Sequence, residues 1–370
     1  MIINPTSFTA VLVTIFLLPI GVAAQSIDWS NWETDTSKKT INLDELQSGG
    51  PPKDGIPSID QPAFISPKAA SNWLKPEEPV IVYGNNNTWR AYPLQIMIWH
   101  EIVNDKVAGK PVLVSFCPLC NSSLVFSRTL DGKVHDFGVS GFLRNSDLVM
   151  YDRQTESLWQ QFTGEGIVGQ YTGRSLKQLP SQVISFRQFR EQYPDGEVLS
   201  KETGYRRDYG RNPYAGYDDI NNNPFMYDGE EDGRLKPMAR VLAVHLEGET
   251  KGYPFKITRE AKIVMDTFAG LELVIFHSEG AVSALDNSRI EESREIGSTG
   301  VFKRELDGRK LSFKIKNGNI VDEETGTTWN VTGKAVNGPL KGNTLEPVTF
   351  GEYFAFALFA FYPEVTLYEK

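Results

Sequence analysis

Val125-Phe-Ser-Arg-Thr-Leu-Asp-Gly-Lys133 returns later in the chain as Val301-Phe-Lys-Arg-Glu-Leu-Asp-Gly-Arg309. The match extends outward in both directions. Asp152, Thr155 and Trp159 return as Asp322, Thr325 and Trp329. Thr163-Gly164, Gly169, Gly173 and Leu176 return as Thr332-Gly333, Gly338, Gly342 and Leu345. Tyr193-Pro194 returns as Tyr362-Pro363, and Tyr92-Pro93 as Tyr253-Pro254. Order is kept and the gaps are small, which is how a duplicated unit shows itself in one chain. The expectation is an α+β protein of two homologous, strand-rich repeats, 77–200 and 238–370, about a pseudo-twofold axis. Each repeat has a helix near its start and another near its end.

Local patterning fills in the first unit. Residues 79–83 read as a strand ended by Gly84 and an asparagine run. In 90–105, Ile96, Trp99, His100 and Val103 recur at helical spacing, with Pro93 suited to the helix start and Gly109 after its end. The apolar stretch 111–116 is a strand that delivers the chain to Cys117. Asp131-Gly132 between two alternating runs predicts a hairpin of 123–128 with 134–139. A glycine-punctuated loop, 138–147, follows, then a strand at 148–151 and a turn at 152–157. Residues 184–193 have helical spacing and stop before Pro194.

The flanks read differently. The apolar run 8–22, followed by Ala23-Ala24-Gln25, is expected to be a secretory signal over 1–24. A retained membrane anchor is the other reading, and the run is short for a spanning helix, which needs ~20 residues. No Lys or Arg precedes the run. Residues 25–76, rich in Pro, Ser, Gly and Asp, suggest a poorly ordered leader or an extended arm. Between the repeats, 201–237 is rich in Tyr, Arg and Asn. It reads as a connecting strap, or as a loop in contact with a ligand.

Composition narrows the function. With 40% hydrophobic and 23% charged residues the chain is an ordinary globular one. Its net charge of −9 leaves no basic footprint for nucleic acid. No other stretch is long enough to span a bilayer, so an exported protein, periplasmic or secreted, is expected. There its two cysteines are open to oxidation.

Those two cysteines, Cys117 and Cys120, stand in Ser115-Phe-Cys-Pro-Leu-Cys-Asn-Ser-Ser123 and are the only ones in the chain. The repeat supplies an internal control, because the second unit has Leu273-Val-Ile-Phe-His-Ser-Glu-Gly280 at this place. His135 likewise corresponds to Leu311. Features shared by both units are expected to be scaffold, and features confined to the first are candidates for function.

Three readings of the pair stay open. The first is thiol redox chemistry, with Cys117 attacking, Cys120 resolving and His100 or His135 adjusting the thiolate. A thioredoxin motif is discounted, since a strand and not a helix follows Cys120. The second is a metal knuckle for copper, iron or zinc on Cys117, Cys120 and one or both of His100 and His135. The third is a structural disulfide in a binding module, although so short a loop gains little closure entropy. His100-Glu101 opens like a His-Glu-x-x-His zinc motif, but position 104 is Asn and that motif fails. Asp147 and Arg153 lack counterparts in the second unit and are supporting candidates. Asp152, matched by Asp322, reads as a turn residue. No nucleophile elbow, phosphate loop or dinucleotide fingerprint is present.

Arg90-Ala-Tyr-Pro-Leu94, Trp99-His-Glu-Ile-Val-Asn-Asp105, Cys117-Pro-Leu-Cys120, Phe137-Gly-Val-Ser-Gly141, Asn145-Ser-Asp-Leu-Val-Met-Tyr-Asp-Arg-Gln-Thr-Glu-Ser-Leu-Trp159 and Thr203-Gly-Tyr205 together resemble the domain-of-unknown-function family numbered 3179. The resemblance spans about 77–370. That family is mostly bacterial, with many members that look exported, and it has no assigned reaction. The resemblance implies redox work at Cys117 or Cys120, since some members are read as selenoproteins at the Cys-Pro-Leu-Cys site. Asn121 departs from the Gly that the family pattern places after the second Cys. A redox or metal-donor partner is expected, with no nucleic acid and no membrane span after signal cleavage.

Overall fold

The computed structural model describes residues 27–370, and the expected signal segment 1–24 lies outside them. Strands account for 40% of the structure, and the few helices are short, so the molecule is a mostly-β α+β protein. Among the described residues no helix is long and apolar enough to cross a membrane.

The first half opens on a hairpin, β1 (Pro79–Asn85) and β2 (Thr88–Pro93). Asn86 and Asn87 turn it with φ of 46° and 64°, the left-handed pair that matches the twist of the strands. Helix α1 (Leu94–His100) follows. Then come β3 (Ile102–Val107), β4 (Lys110–Cys117) and β5 (Ser122–Ser127), antiparallel in that order. A further sheet holds β6 (Phe137–Arg144), β7 (Asp147–Asp152) and β8 (Leu158–Gln160). Helix α2 (Phe186–Gln192) closes this half, with Ser185 and Gln188 forming a capping box.

The second half runs through a similar order. Hairpin β9 (Arg240–Leu246) and β10 (Glu249–Pro254) leads to α3 (Phe255–Ala261). It continues with β11 (Ile263–Phe268), β12 (Leu271–Ser278) and β13 (Ser298–Lys303), then β14 (Phe313–Lys316), β15 (Asn319–Asp322) and β16 (Thr328–Trp329). Strand β17 (Phe350–Phe354) and helix α4 (Ala355–Phe361) end the fold. The halves share cores. Tyr353, Phe354 and Leu358 pack with Val114, Phe116 and the two cysteines, while Val80, Ile184 and Phe186 pack with Val274, Phe276 and Phe302.

Three expectations need correction. Helix α1 ends at His100, not near position 105. Glu101 adopts φ 58°, and Ile102 and Val103 then pair with Ser115 and Val114. Branched side chains prefer that pleated setting to a helix. The apparent helical stripe therefore joined two elements. The strand after Asp131-Gly132 does not return along β5, because β6 pairs with β7 instead. Only a two-residue ladder, Thr129–Leu130 with Lys133–Val134, remains at the turn. Residues 138–147, expected as a loop, are mostly strand β6 with a bulge between Val139 and Phe142.

Residues 27–76 are not a poorly ordered leader either. They form an extended arm laid on the first half. Gln47–Ser48 pairs with β6, Ile59 exchanges backbone hydrogen bonds with Ile102 and Asn104, and Trp29 and Trp32 pack on Phe142. The arm crosses the bulge at Gly141, where φ is +84° and a Cβ would lie 2.1 Å from the Pro51 carbonyl. Only glycine fits there.

Candidate functional site

The turn between β4 and β5 is the one expected, strand to strand, with Cys117 opposite Ser122. Asn121 closes it at φ 53°, a conformation that asparagine tolerates better than most residues. Its departure from glycine is therefore no strain on the turn. It also adds a contact, because Arg240 of the second half donates to Asn121 Oδ1 at 2.8 Å. The Phe354 amide donates to the Cys120 carbonyl at 3.0 Å, so the second half clamps the turn from outside.

A second turn delivers the third member. Asn145 and Ser146, both at positive φ, reverse the chain between β6 and β7 and set Asp147 at the first position of β7. Asp147 is fully buried. Its Oδ2 accepts from Gln160 Nε2 at 2.7 Å and from the Phe162 amide at 3.0 Å. Its Oδ1 has no hydrogen-bond partner. Cys117, Cys120 and Asp147 offer donor atoms that all lie within 4.8 Å of one another.

Both cysteines are free, 4.1 Å apart, and buried, well beyond the ~2.05 Å of a disulfide. Cys117 is 2% exposed and Cys120 fully buried, so neither is an exposed attacking thiol. Burial pushes the Cys117 thiol up, and the charges of Asp147 and Glu101 push it further. Burial raises Cys120 well above its ordinary value, with Cys117 adding to the effect. Asp147 is pushed up to about 7 by burial, against the lowering effect of Gln160 and the Phe162 amide. The thiols also act on Asp147 in the opposite sense, since hydrogen bonds from Cys117 and Cys120 favour its carboxylate form.

Glu101 stands beside them. It occupies the left-handed cap of α1, and burial together with the charge of Asp147 pushes its carboxyl up to about 8. It lines a cleft of about 360 Å³. Leu119 and Leu148, sequence neighbours of the cluster, line the same cleft, and so do Ile56 of the arm and Tyr214 and Tyr217 of the connecting segment. Tyr217 donates to the Leu119 carbonyl at 3.1 Å. The connecting segment therefore contacts the cysteine turn and lines the cleft beside the cluster.

The other candidates lie elsewhere. His100 has Nδ1 at 2.8 Å from the Pro57 carbonyl and Nε2 at 2.7 Å from the Tyr209 hydroxyl. The carbonyl can only accept, so Nδ1 donates and Nε2 accepts, and no lone pair is left for a metal. His135 has Nε2 at 3.3 Å from the Tyr171 hydroxyl and Nδ1 at 3.7 Å from Asp152. Neither histidine joins the sulfur cluster. Arg153 grips Asp54 with two bonds and Ser58 with a third; it fastens the arm. Asp152 accepts from the Thr155 amide and hydroxyl and from Trp159 Nε1 at 3.0 Å. Asp322 binds Thr325 and Trp329 in the same way.

Glu101 was passed over in the sequence because it was read only as part of a failed zinc motif. The internal control would have found it. The left-handed cap of α3 is Lys262, so a carboxylate at this cap belongs to the first half alone.

No curated protein and no solved structure matches the chain. The family model described as "Protein of unknown function (DUF3179)" matches residues 53–365. Arm, cysteine turn, Asp147 hairpin and second half all fall inside that match, and the protein belongs to this family.

Proposed function

We propose that the protein is a metal-binding protein that holds one thiophilic divalent ion on Cys117 Sγ, Cys120 Sγ and Asp147 Oδ1. Zinc suits the set best, with copper and iron as competitors. The observation that carries the reading is Asp147 Oδ1, buried without a partner beside two buried thiols. A buried polar atom in that state is costly. An ion would satisfy it and would also offset the burial that raises all three groups. Tetrahedral bonds of ~2.0–2.3 Å set ligand atoms about 3.5–3.8 Å apart, so the cluster needs only a small contraction. Gln160 would orient the carboxylate from behind, as outer partners do at metal sites. Three protein ligands would leave a fourth position, which is the pattern of a centre that meets a substrate or a water.

Thiol redox chemistry is the second reading, favoured by the 4.1 Å separation of the free cysteines. Against it stand the raised thiols and the lack of a neighbouring histidine or cation, since the thiolate is the reactive form. Other features support two homologous repeats about a pseudo-twofold axis: the paired Asp–Thr–Trp clasps, the matching order of elements and the reciprocal sharing of cores. Export by a cleaved signal completes the proposal and rests on the sequence alone.

The test is metal analysis of protein purified without chelator under reducing conditions. One zinc-class ion per chain is expected, lost in the Cys117→Ser, Cys120→Ser variant and weakened at least tenfold, about 1.4 kcal/mol, in Asp147→Asn. Stoichiometric absence of any ion in the unaltered protein would sink the metal reading. Thiols that then exchange reversibly with a disulfide in a redox titration would establish the second.

A further inference from the structure

The cleft beside the cluster has a definite chemistry. Its volume of about 360 Å³ falls in the range of small-molecule sites, ~300–1,000 Å³. Its walls come from three separate parts of the chain: Ile56 from the arm, Val139, Leu143 and Leu148 from the β6–β7 hairpin, and Tyr214, Tyr217 and Phe225 from the connecting segment. Among the described residues no lysine, arginine or histidine lines it, and the only ionisable groups on the walls are Glu101 and the two tyrosines, with Asp147 close behind.

We infer that the cleft binds a small, uncharged, largely apolar molecule whose polar end points at Glu101 and the Cys117–Cys120–Asp147 cluster. Charge complementarity disfavours an anion: the cleft walls carry no basic side chain to replace its hydration, a cost that buried unpaired charges do not recover. The aromatic and aliphatic walls reward apolar area instead, at roughly 25 cal/mol per Å². Glu101 is the one carboxyl on the walls, and with the two tyrosine hydroxyls it distinguishes the head of such a molecule from its tail. Its carboxyl lines the cleft, where it can share a hydrogen bond with a hydroxyl. The orientation of the polar end builds on the metal reading above; occupancy of the cleft does not.

Fluorescence titration with two probes of one framework tests this. Phenylnaphthylamine is neutral, and anilinonaphthalene sulfonate adds a single anionic group. Both titrations are run on chelator-treated and on zinc-loaded protein. The expected result is one saturable phenylnaphthylamine site per chain, with the sulfonate bound at least about tenfold more weakly. Phe225→Ser and Leu143→Ser should each weaken the neutral probe about five- to tenfold. Phe225 is 52% exposed, so its loss does not endanger folding. Absence of saturable binding in both protein forms would overturn the inference. So would equal affinity for the two probes, or no response to either substitution. A protein that carries no metal yet binds the neutral probe selectively would overturn the metal reading and leave this one standing.

Discussion

The strand pair β4–β5 and the strand pair β12–β13 are built alike and closed differently. Each follows a short helix with a left-handed cap, and each is antiparallel. In the first half the closure is residues 118–121, with Cys117 at its base and Cys120 within it. In the second half it is the longer run 279–297, which starts from Ser278 opposite Ser298. That longer run is tied down by Asp218, whose Oδ2 lies 2.7 Å from Arg240 and 2.8 Å from Arg294. The short closure concentrates donor atoms, while the long one reaches across to the connecting segment. Under the proposed reading, scaffold and chemistry separate within a single chain: what the halves have in common would hold them up, and what they do not would mark the site.

That division can be broken by experiment. The largest effect is expected at the clasps. Asp152→Ala and Asp322→Ala each leave a buried Trp Nε1 and a Thr hydroxyl without their acceptor. Both should cost about 3–4 kcal/mol, equal within ~1 kcal/mol, as read by denaturant unfolding. A large loss from Asp152→Ala together with a negligible one from Asp322→Ala would move Asp152 from scaffold to site.

A smaller effect concerns the second half's own buried carboxyl. Glu352 accepts from Thr299 Oγ1, and burial pushes it up from an ordinary 4.5 to about 7. The folded state therefore keeps a proton that the unfolded state releases between about pH 4.5 and 7. Stability should fall as pH rises through that window, by on the order of 3 kcal/mol from this group, and hold level above it. Glu352→Gln should flatten the slope in unfolding curves taken across the window. An unchanged slope would remove Glu352 as its source.

The smallest effect lies at the helix caps. Lys262 adopts φ 61° with a side chain, and glycine adopts that conformation without penalty. Lys262→Gly should stabilise the protein by about 1 kcal/mol, seen as a higher Tm, with metal content unchanged. Glu101→Gly relieves the same backbone strain, but should also alter what the cleft binds. Identical behaviour of the two variants would deny Glu101 any part in the site.

Much of this architecture was legible in local pattern. The two cysteines, the strand–turn–strand around them, the capped helix at 186–192 and the turn role of Asp152 and Asp322 follow from short-range rules. Such rules act within a few residues, where backbone sterics and side-chain size decide. The errors arose where two elements met. Helix α1 and strand β3 shared one apolar stripe, and β6 chose β7 over β5. Strand pairing depends on which surfaces remain to be buried once the whole sheet forms.

The site divides in the same way. Sequence alone determined that Cys117 and Cys120 stand together in a tight turn, and that the second half lacks them. Only the tertiary structure decided that Asp147 completes the group, that His100 and His135 do not, and that Glu101 faces a cleft walled by the arm and the connecting segment. The reason is distance along the chain. Two residues between cysteines fix their separation by covalent geometry. The approach of Asp147 to Cys117 rests instead on two hairpins, a bulge and a shared core folding at once, and no local pattern encodes that sum.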